Sequence, residues 1–334
     1  TLIVGSLWDQ EDIYGAPAAF NAVKGSANAH LVLGPWHHGQ ANGFAASLGA
    51  LEWGTDTSRW FRQHVMLPFL DEHLKGSRPA GIAKVTAFEA GANQWKRLDD
   101  WPQACMRACP ANLTPLYPQA GNSLSFAAPA TSGSDQYVSD PAKPVTYRAR
   151  PNLSPWASGS TWRHWLVDDQ RFAEGRTDVL SYTGEPLTRP LKLAGTPLVH
   201  LVASTSGTDS DWIVKLIDVY PDQYPEKPAL GGYQLPIAME VMRARYRTDP
   251  ANPSPVPANQ PVTYEFALPT VSYTLQPGHR LMVQVQSSWF PLYDRNPQTY
   301  VPNIFFAKAS DYRAATQKVF TGPQGTWIGL PVVR

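Results

Sequence analysis

The closing portion of an open, mostly parallel α/β sheet, followed by an all-β sandwich, is the fold that these 334 residues predict. Three observations carry the prediction. Up to about residue 104, short apolar runs alternate with stretches of helical periodicity, the pattern of strands joined by helices. Beyond that point strand-like runs recur between clusters of Pro, Gly, Asn and Asp, with no long helical stretch among them. Most of the 32 prolines fall in these later connections, where a fixed φ stiffens long loops between strands. The length exceeds what one compact core usually needs, and the composition change divides the chain into 1–104 and 105–334.

The elements follow in order. "TLIV" at the N-terminus has the continuous apolar character of a buried strand, and residues 13–23 have helical periodicity. "HLVLG" at 30–34 predicts a second buried strand, and residues 57–75 an amphipathic helix with Gly76 as its C-cap. Pro68 inside that helix removes a backbone donor and crowds the previous turn, so the helix is expected to kink or split there. Within it, "WFRQHVMLPFLDEHL" turns an apolar side inward and leaves His64 and His73 near the surface. "KVTAFEAG" at 84–91 supplies a third strand. The sandwich strands are read in "LKLAGTPLVHLVAS", "DWIVKLIDVYPD", "AMEVMRARY", "VTYEFAL", "HRLMVQVQSS" and "TWIGLPVV". "TLIVG" opens without a start signal for its strand, so a further portion of the protein is expected upstream.

With 28 basic and 27 acidic side chains the formal net charge is +1, and no polybasic run occurs. That balance gives no electrostatic basis for binding nucleic acid or an anionic membrane and favours a small or neutral ligand. No apolar run approaches the roughly 18 residues of a membrane span. The two cysteines, Cys105 and Cys109 in "WPQACMRACP", are too few for a structural zinc site and read as a local disulfide or as two buried thiols. A disulfide would place the protein outside the reducing cytosol, in a periplasm or the medium.

Chemistry concentrates in the first forty residues. "GSLWDQED" at 5–12 sets Asp9, Glu11 and Asp12 just beyond the first strand, and "LGPWHHGQ" sets His37 and His38 just beyond the second. In an open α/β sheet, loops at the C-terminal ends of strands face one crevice. An Asp and a His leaving consecutive strand ends can therefore hydrogen-bond, which fixes the imidazole tautomer and frees the other ring nitrogen as a general base toward a serine. Asp12 immediately precedes the expected helix and fits equally well as its N-cap. His37 and His38 could equally be polar loop residues beside a Trp. No G-x-S-x-G elbow is present, so a serine nucleophile would lie upstream.

Taken together, "GSLWDQED", "LVLGPWHHGQ" and "STSGTDSDWIVKLIDVYPD" resemble the α-amino acid ester hydrolases, or β-lactam antibiotic acylases. These belong to the larger group of cocaine esterase, glutaryl acylases and X-Pro dipeptidyl peptidases. The resemblance runs along essentially the whole chain. It implies the C-terminal part of an α/β-hydrolase domain followed by a jelly-roll domain, a triad acid at Asp9 and a triad base at His38 rather than His37. It further implies that Glu11 and Asp12 belong to a carboxylate cluster for the substrate's α-ammonium, with a third member upstream, and that the protein is a homo-oligomer. Carboxylates crowded in a partly desolvated pocket repel one another until a cation enters, so such a cluster selects a free amine over an acylated one.

The implied activity is a serine hydrolase or acyltransferase cleaving esters and amides of α-amino acids, β-lactams included, with no cofactor. A general esterase, a glutaryl acylase or an X-Pro dipeptidyl peptidase shares the triad and differs in the pocket, and a non-catalytic jelly-roll binding module is the rival from another class. "TSGTDSD" at 205–211 is oxygen-rich enough for structural calcium but lacks a spaced ligand pattern. The 12 Trp are too scattered for a sugar-binding face; Trp53, Trp60, Trp95 and Trp101 are read as packing residues.

Overall fold

The computed structural model describes residues 1–103 and 113–333. Cys105, Cys109 and the 104/105 division lie outside the described residues.

Parallel pairing joins β1 (Leu2–Ser6) to β2 (His30–Gly34) and β2 to β5 (Val85–Glu89), and β6 (Gln94–Leu98) closes the edge of β5 in the antiparallel sense. Parallel strands need a long crossover connection, usually a helix. The helix α1 (Gly15–Val23) links β1 to β2, while β3 (Ser47–Leu48), β4 (Leu51–Glu52), α2 (Thr57–Phe61) and α3 (Leu67–Lys75) fill the longer link to β5. Residues 31–34 of β2 and all of β5 are buried, as a strand covered on both faces requires.

Helix α1 starts two residues later than the sequence predicts. The Asp9 carboxylate accepts the backbone N–H of both Glu11 and Asp12 at 2.9 Å. These bonds hold residues 9–12 in a turn and postpone the helix. Tyr14 is the N-cap residue, and no side chain caps it, so Asp12 does not perform the capping role its position allowed.

The expected kink near Pro68 takes the form of a π-helical segment, Arg62–Met66, joining α2 to α3, with Pro68 in the first turn of α3. A wide turn just before a proline accommodates its missing donor and its ring. Gly76 ends α3 at φ 66°, the left-handed conformation that glycine adopts without strain. His64 and His73 are exposed. Trp53 and Trp101 are buried, and Trp60 and Trp95 are half-buried.

From residue 113 onward, the described residues form strands and short 3₁₀ turns only. The strands are β7 (Thr114–Gln119), β8 (Ser123–Ser125), β9 (Gly133–Ser139), β10 (Leu180–Gly184), β11 (Leu191–Gly195), β12 (Leu198–Thr205), β13 (Asp211–Val219), β14 (Gln234–Arg243), β15 (Val262–Ala267), β16 (Val271–Leu275), β17 (Arg280–Gln286), β18 (Ala315–Thr321) and β19 (Trp327–Leu330). Eleven of them pair into one extended, folded sheet, with β14-β13-β17-β10 at one end and β12-β18-β9 at the other. Its inner face carries Trp212, Val214, Leu216, Val283, Leu201 and Val319, each essentially inaccessible to water. These residues share one continuous core with Leu31, Leu33 and Phe88 of the parallel sheet.

Strand β16 pairs with β11 and joins the two parts: Ala90, just beyond β5, donates its N–H to Ser272 O at 3.0 Å and accepts from Thr274 N at 2.8 Å. The sandwich is thereby fixed by backbone bonds against the sheet that carries the acidic loop. Among the described residues, no helix is long and apolar enough to cross a membrane.

Candidate active site

The loops after β1 and β2 run side by side because their backbones bond to each other: Leu7 N–H donates to Gly34 O at 2.8 Å and Trp8 N–H to Trp36 O at 3.2 Å. Gly34 permits the tight exit from β2, since a Cβ there would fall inside the Trp36 indole. That indole is buried and donates to Thr57 Oγ1 at 2.8 Å. Both loops are therefore held against the core before any polar group meets.

Asp9 and His38 meet at this junction. His38 Nδ1 lies 3.1 Å from Oδ1 and 3.3 Å from Oδ2 of Asp9. The carboxylate is only 8% exposed, whereas the imidazole is half-exposed. Asp9 Oδ1 also accepts the two amides of the following turn, so three donors converge on one carboxyl group and pin its orientation. The His38 backbone N–H donates to Gln10 Oε1 at 3.1 Å, which ties the histidine loop to the acidic loop a second time. With Nδ1–H given to Asp9, Nε2 of the neutral ring carries the free lone pair.

His37 takes no part in this pair. Its Nδ1 is 2.7 Å from His38 O and its ring lies 6.4 Å from that of His164. Burial is the main reason the His37 pKa is lowered below the usual imidazole value, and burial acts likewise on His164.

Glu11 and Asp12 are both exposed and line one cavity of about 240 Å³ between the acidic loop and the sandwich. Glu11 Oε2 is 3.8 Å from His38 Nε2. The Asp12 carboxylate leans over the start of α1, where a Cβ at Gly15 would come within 2.5 Å of its Oδ1.

The opposite wall comes from the sandwich and was not legible as part of the site. It includes Trp165, Glu240, Trp289 and Tyr293, the last two stacked with ring planes 3° apart. Glu240 on β14 brings a third carboxylate to the cavity and accepts the Tyr14 hydroxyl and, at 2.7 Å, the Val241 N–H. Burial, and then the Glu240 carboxylate, raise the Tyr14 pKa above its ordinary value. Behind the loop, Trp8 stacks on Trp53 at 5.8 Å, and its indole N–H donates to Pro236 O of β14 at 3.3 Å.

The oxygen-rich segment 205–211 is tied up internally. Asp209 is bound by Arg245 through two contacts of 2.6 and 2.8 Å, and Asp211 accepts from Asn296 at 2.8 Å beside Arg243.

A family model described as the X-Pro dipeptidyl-peptidase C-terminal non-catalytic domain matches residues 81–327. Residues 9–38, which hold the acid and the imidazole, precede that match. The chain is 33% identical over 335 residues to a cocaine esterase from Rhodococcus sp. (strain MB1 Bresler), an alignment covering 94% of this chain and 53% of that protein. Among solved structures, an aminopeptidase from the marine sediment archaeon Thaumarchaeota archaeon is 51% identical with a TM-score of 0.94, covering 98% of this chain and 54% of that one. An α-amino acid ester hydrolase is also 51% identical, with a TM-score of 0.95, covering 100% of this chain and 55% of that one. The chain thus spans about half the length of the relatives it matches. It belongs to the family of the X-Pro dipeptidyl-peptidase C-terminal non-catalytic domain, and along its whole length it is homologous to esterases and hydrolases of the cocaine esterase and α-amino acid ester hydrolase kind.

Proposed function

We propose that this chain supplies the acid and base of a serine hydrolase or acyltransferase acting on esters and amides of α-amino acids, β-lactams included. On this reading residues 1–104 are the C-terminal part of an α/β-hydrolase domain, and the nucleophilic serine lies outside these 334 residues. The observation that carries the proposal is the buried Asp9 carboxylate bonded to Nδ1 of a half-exposed His38.

In this role His38 Nε2 takes the serine proton as the acyl-enzyme forms and passes it to the leaving group. It then takes a proton from the water, or from the acceptor amine in synthesis, that releases the acyl group. Asp9 holds the tautomer and stabilises the imidazolium. The α-ammonium of an amino acyl group sits one carbon from the reacting carbonyl, so its holder must lie within a few ångströms of the base. Glu11, 3.8 Å from Nε2, meets that requirement, and Asp12 supports it from the same cavity.

The test is the ratio of kcat/KM for phenylglycine methyl ester with its amine free and with it acetylated, measured on the whole protein. A preference of tenfold or more for the free amine supports the amino-ester reading. Equal rates would make this a general esterase or acylase, and no turnover of either ester would leave a binding module.

A further inference from the structure

Glu11 and Asp12 stand exposed on a turn between β1 and α1. The Asp9 carboxylate holds the start of that turn through the Glu11 and Asp12 amides. Its other end runs into α1 at Tyr14, the N-cap residue, where no side chain caps the helix. The junction between turn and helix therefore lacks the local tie that usually fixes it.

A bond from the sandwich stands in that place. The Tyr14 hydroxyl donates to Glu240 Oε2, across 226 positions of chain, while Glu240 Oε1 accepts the Val241 N–H at 2.7 Å. Both oxygens of Glu240 are thus engaged, one by its own strand and one by the end of the acidic turn. A phenol bonded to a carboxylate is a charge-assisted pair, shorter and stronger than a bond between neutral groups. Glu240, Tyr14, Glu11 and Asp12 all line the same cavity, so the bond closes one side of the space that the two exposed carboxylates face.

We propose that Tyr14 and Glu240 are positioning residues for the α-ammonium site: the hydrogen bond between them, rather than the charge of Glu240, sets Glu11 and Asp12 where an α-amino ester at His38 needs them. The inference rests on the reading of Glu11 and Asp12 as holders of the ammonium. An exposed carboxylate on an untied turn samples many positions, and a binding group gains its full effect only when its support fixes it beforehand.

Steady-state kinetics on the whole protein, with phenylglycine methyl ester whose amine is free or acetylated, test it in three variants. Tyr14→Phe removes the hydroxyl and keeps the Glu240 charge. Glu240→Gln removes the charge and keeps an oxygen able to accept from Tyr14, and Glu240→Ala removes both. Tyr14→Phe and Glu240→Ala are expected to raise KM for the free-amine ester by about tenfold, the worth of one hydrogen bond to a charged group, with a much smaller change in kcat. Glu240→Gln should return KM to within about twofold of the parent, and KM for the acetylated ester should move less than that for the free amine in every variant. An unchanged free-amine KM in Tyr14→Phe overturns the inference. So does a Glu240→Gln as impaired as Glu240→Ala, which would make Glu240 a charge that meets the ammonium itself, and so do equal losses on both esters, which would make the bond merely structural. A parent that treats the two esters alike overturns the ammonium reading and this inference with it; a parent that prefers the free amine, with that preference intact in Tyr14→Phe, overturns this inference alone. Should Glu240→Ala fail to fold, Tyr14→Phe and Glu240→Gln decide.

Discussion

Glu11 Oε2 stands 3.8 Å from His38 Nε2, on the side of the imidazole away from Asp9. One ring is thus flanked by two carboxylates of different character: a buried one bonded to Nδ1, and a half-exposed one near the nitrogen that would handle protons. Glu11→Gln is expected to lower kcat/KM for a free-amine ester by about five- to tenfold, the modest size that solvent screening leaves to a half-exposed ion pair. The acetylated ester should change less than twofold. Equal losses on both would make Glu11 a structural residue.

Asp9→Asn keeps an oxygen able to accept from the Glu11 and Asp12 amides, so the turn should persist while the imidazole loses its anionic partner. Turnover is expected to fall by about 10,000-fold, as when a triad acid is replaced by its amide, with a melting temperature within a few degrees of the parent. Retention of a tenth of the activity would remove Asp9 from the mechanism.

Gly15→Ala places a methyl group against the Asp12 carboxylate. Alanine otherwise suits a helix better than glycine, so the helix should tolerate the change while Asp12 is displaced. The expected result is a reduced preference for the free amine with little change on the acetylated ester. If the preference stays intact, Asp12 does not hold the ammonium.

Lys215 is fully buried on β13, its ammonium donating to Gln170 Oε1 at 2.8 Å. Burial pushes its pKa down to about 7. Because the folded value lies below the unfolded one, the unfolded chain binds more protons between about pH 7 and 10.5, and stability rises with pH across that window. Below about pH 7 the full penalty is present, on the order of 5 kcal/mol by the standard conversion. Lys215→Met, of similar shape and no charge, should flatten the curve. Denaturant unfolding of both proteins between pH 6 and 10 checks this, and parallel curves would refute it.

What the sequence disclosed was mostly local. Strands β1 and β2 were legible as apolar runs and β5 as a short strand-like stretch, and the end of α3 as a glycine after a periodic stretch. The pairing of Asp9 with His38 was legible because consecutive parallel strands bring their ends together whatever the side chains are. The late start of α1 was not, because it depends on Asp9 bonding forward to two amides, which a capping pattern at Asp12 imitates. Strands β6 and β16 escaped notice: "QWKRL" is polar and lies at an edge, and "VSYTL" has no apolar run although every residue is buried. Glu240, Trp289 and Tyr293 face the acidic loop across more than 220 positions of chain, and no periodicity encodes a contact of that range.

If Asp9 acts as proposed, the hydrogen bond from Trp8 to Pro236 gives the sandwich a part in chemistry that it would not itself perform. Trp8 immediately precedes Asp9, and its indole is fastened to a strand 228 positions away, so β14 acts as a fixture against which the acid is aligned. A substitution that shifts β14 by a fraction of an ångström would be transmitted through a single peptide link to the carboxylate beneath His38. On the proposed mechanism, catalytic tuning would therefore arise deep in the sandwich, at residues that never touch a substrate.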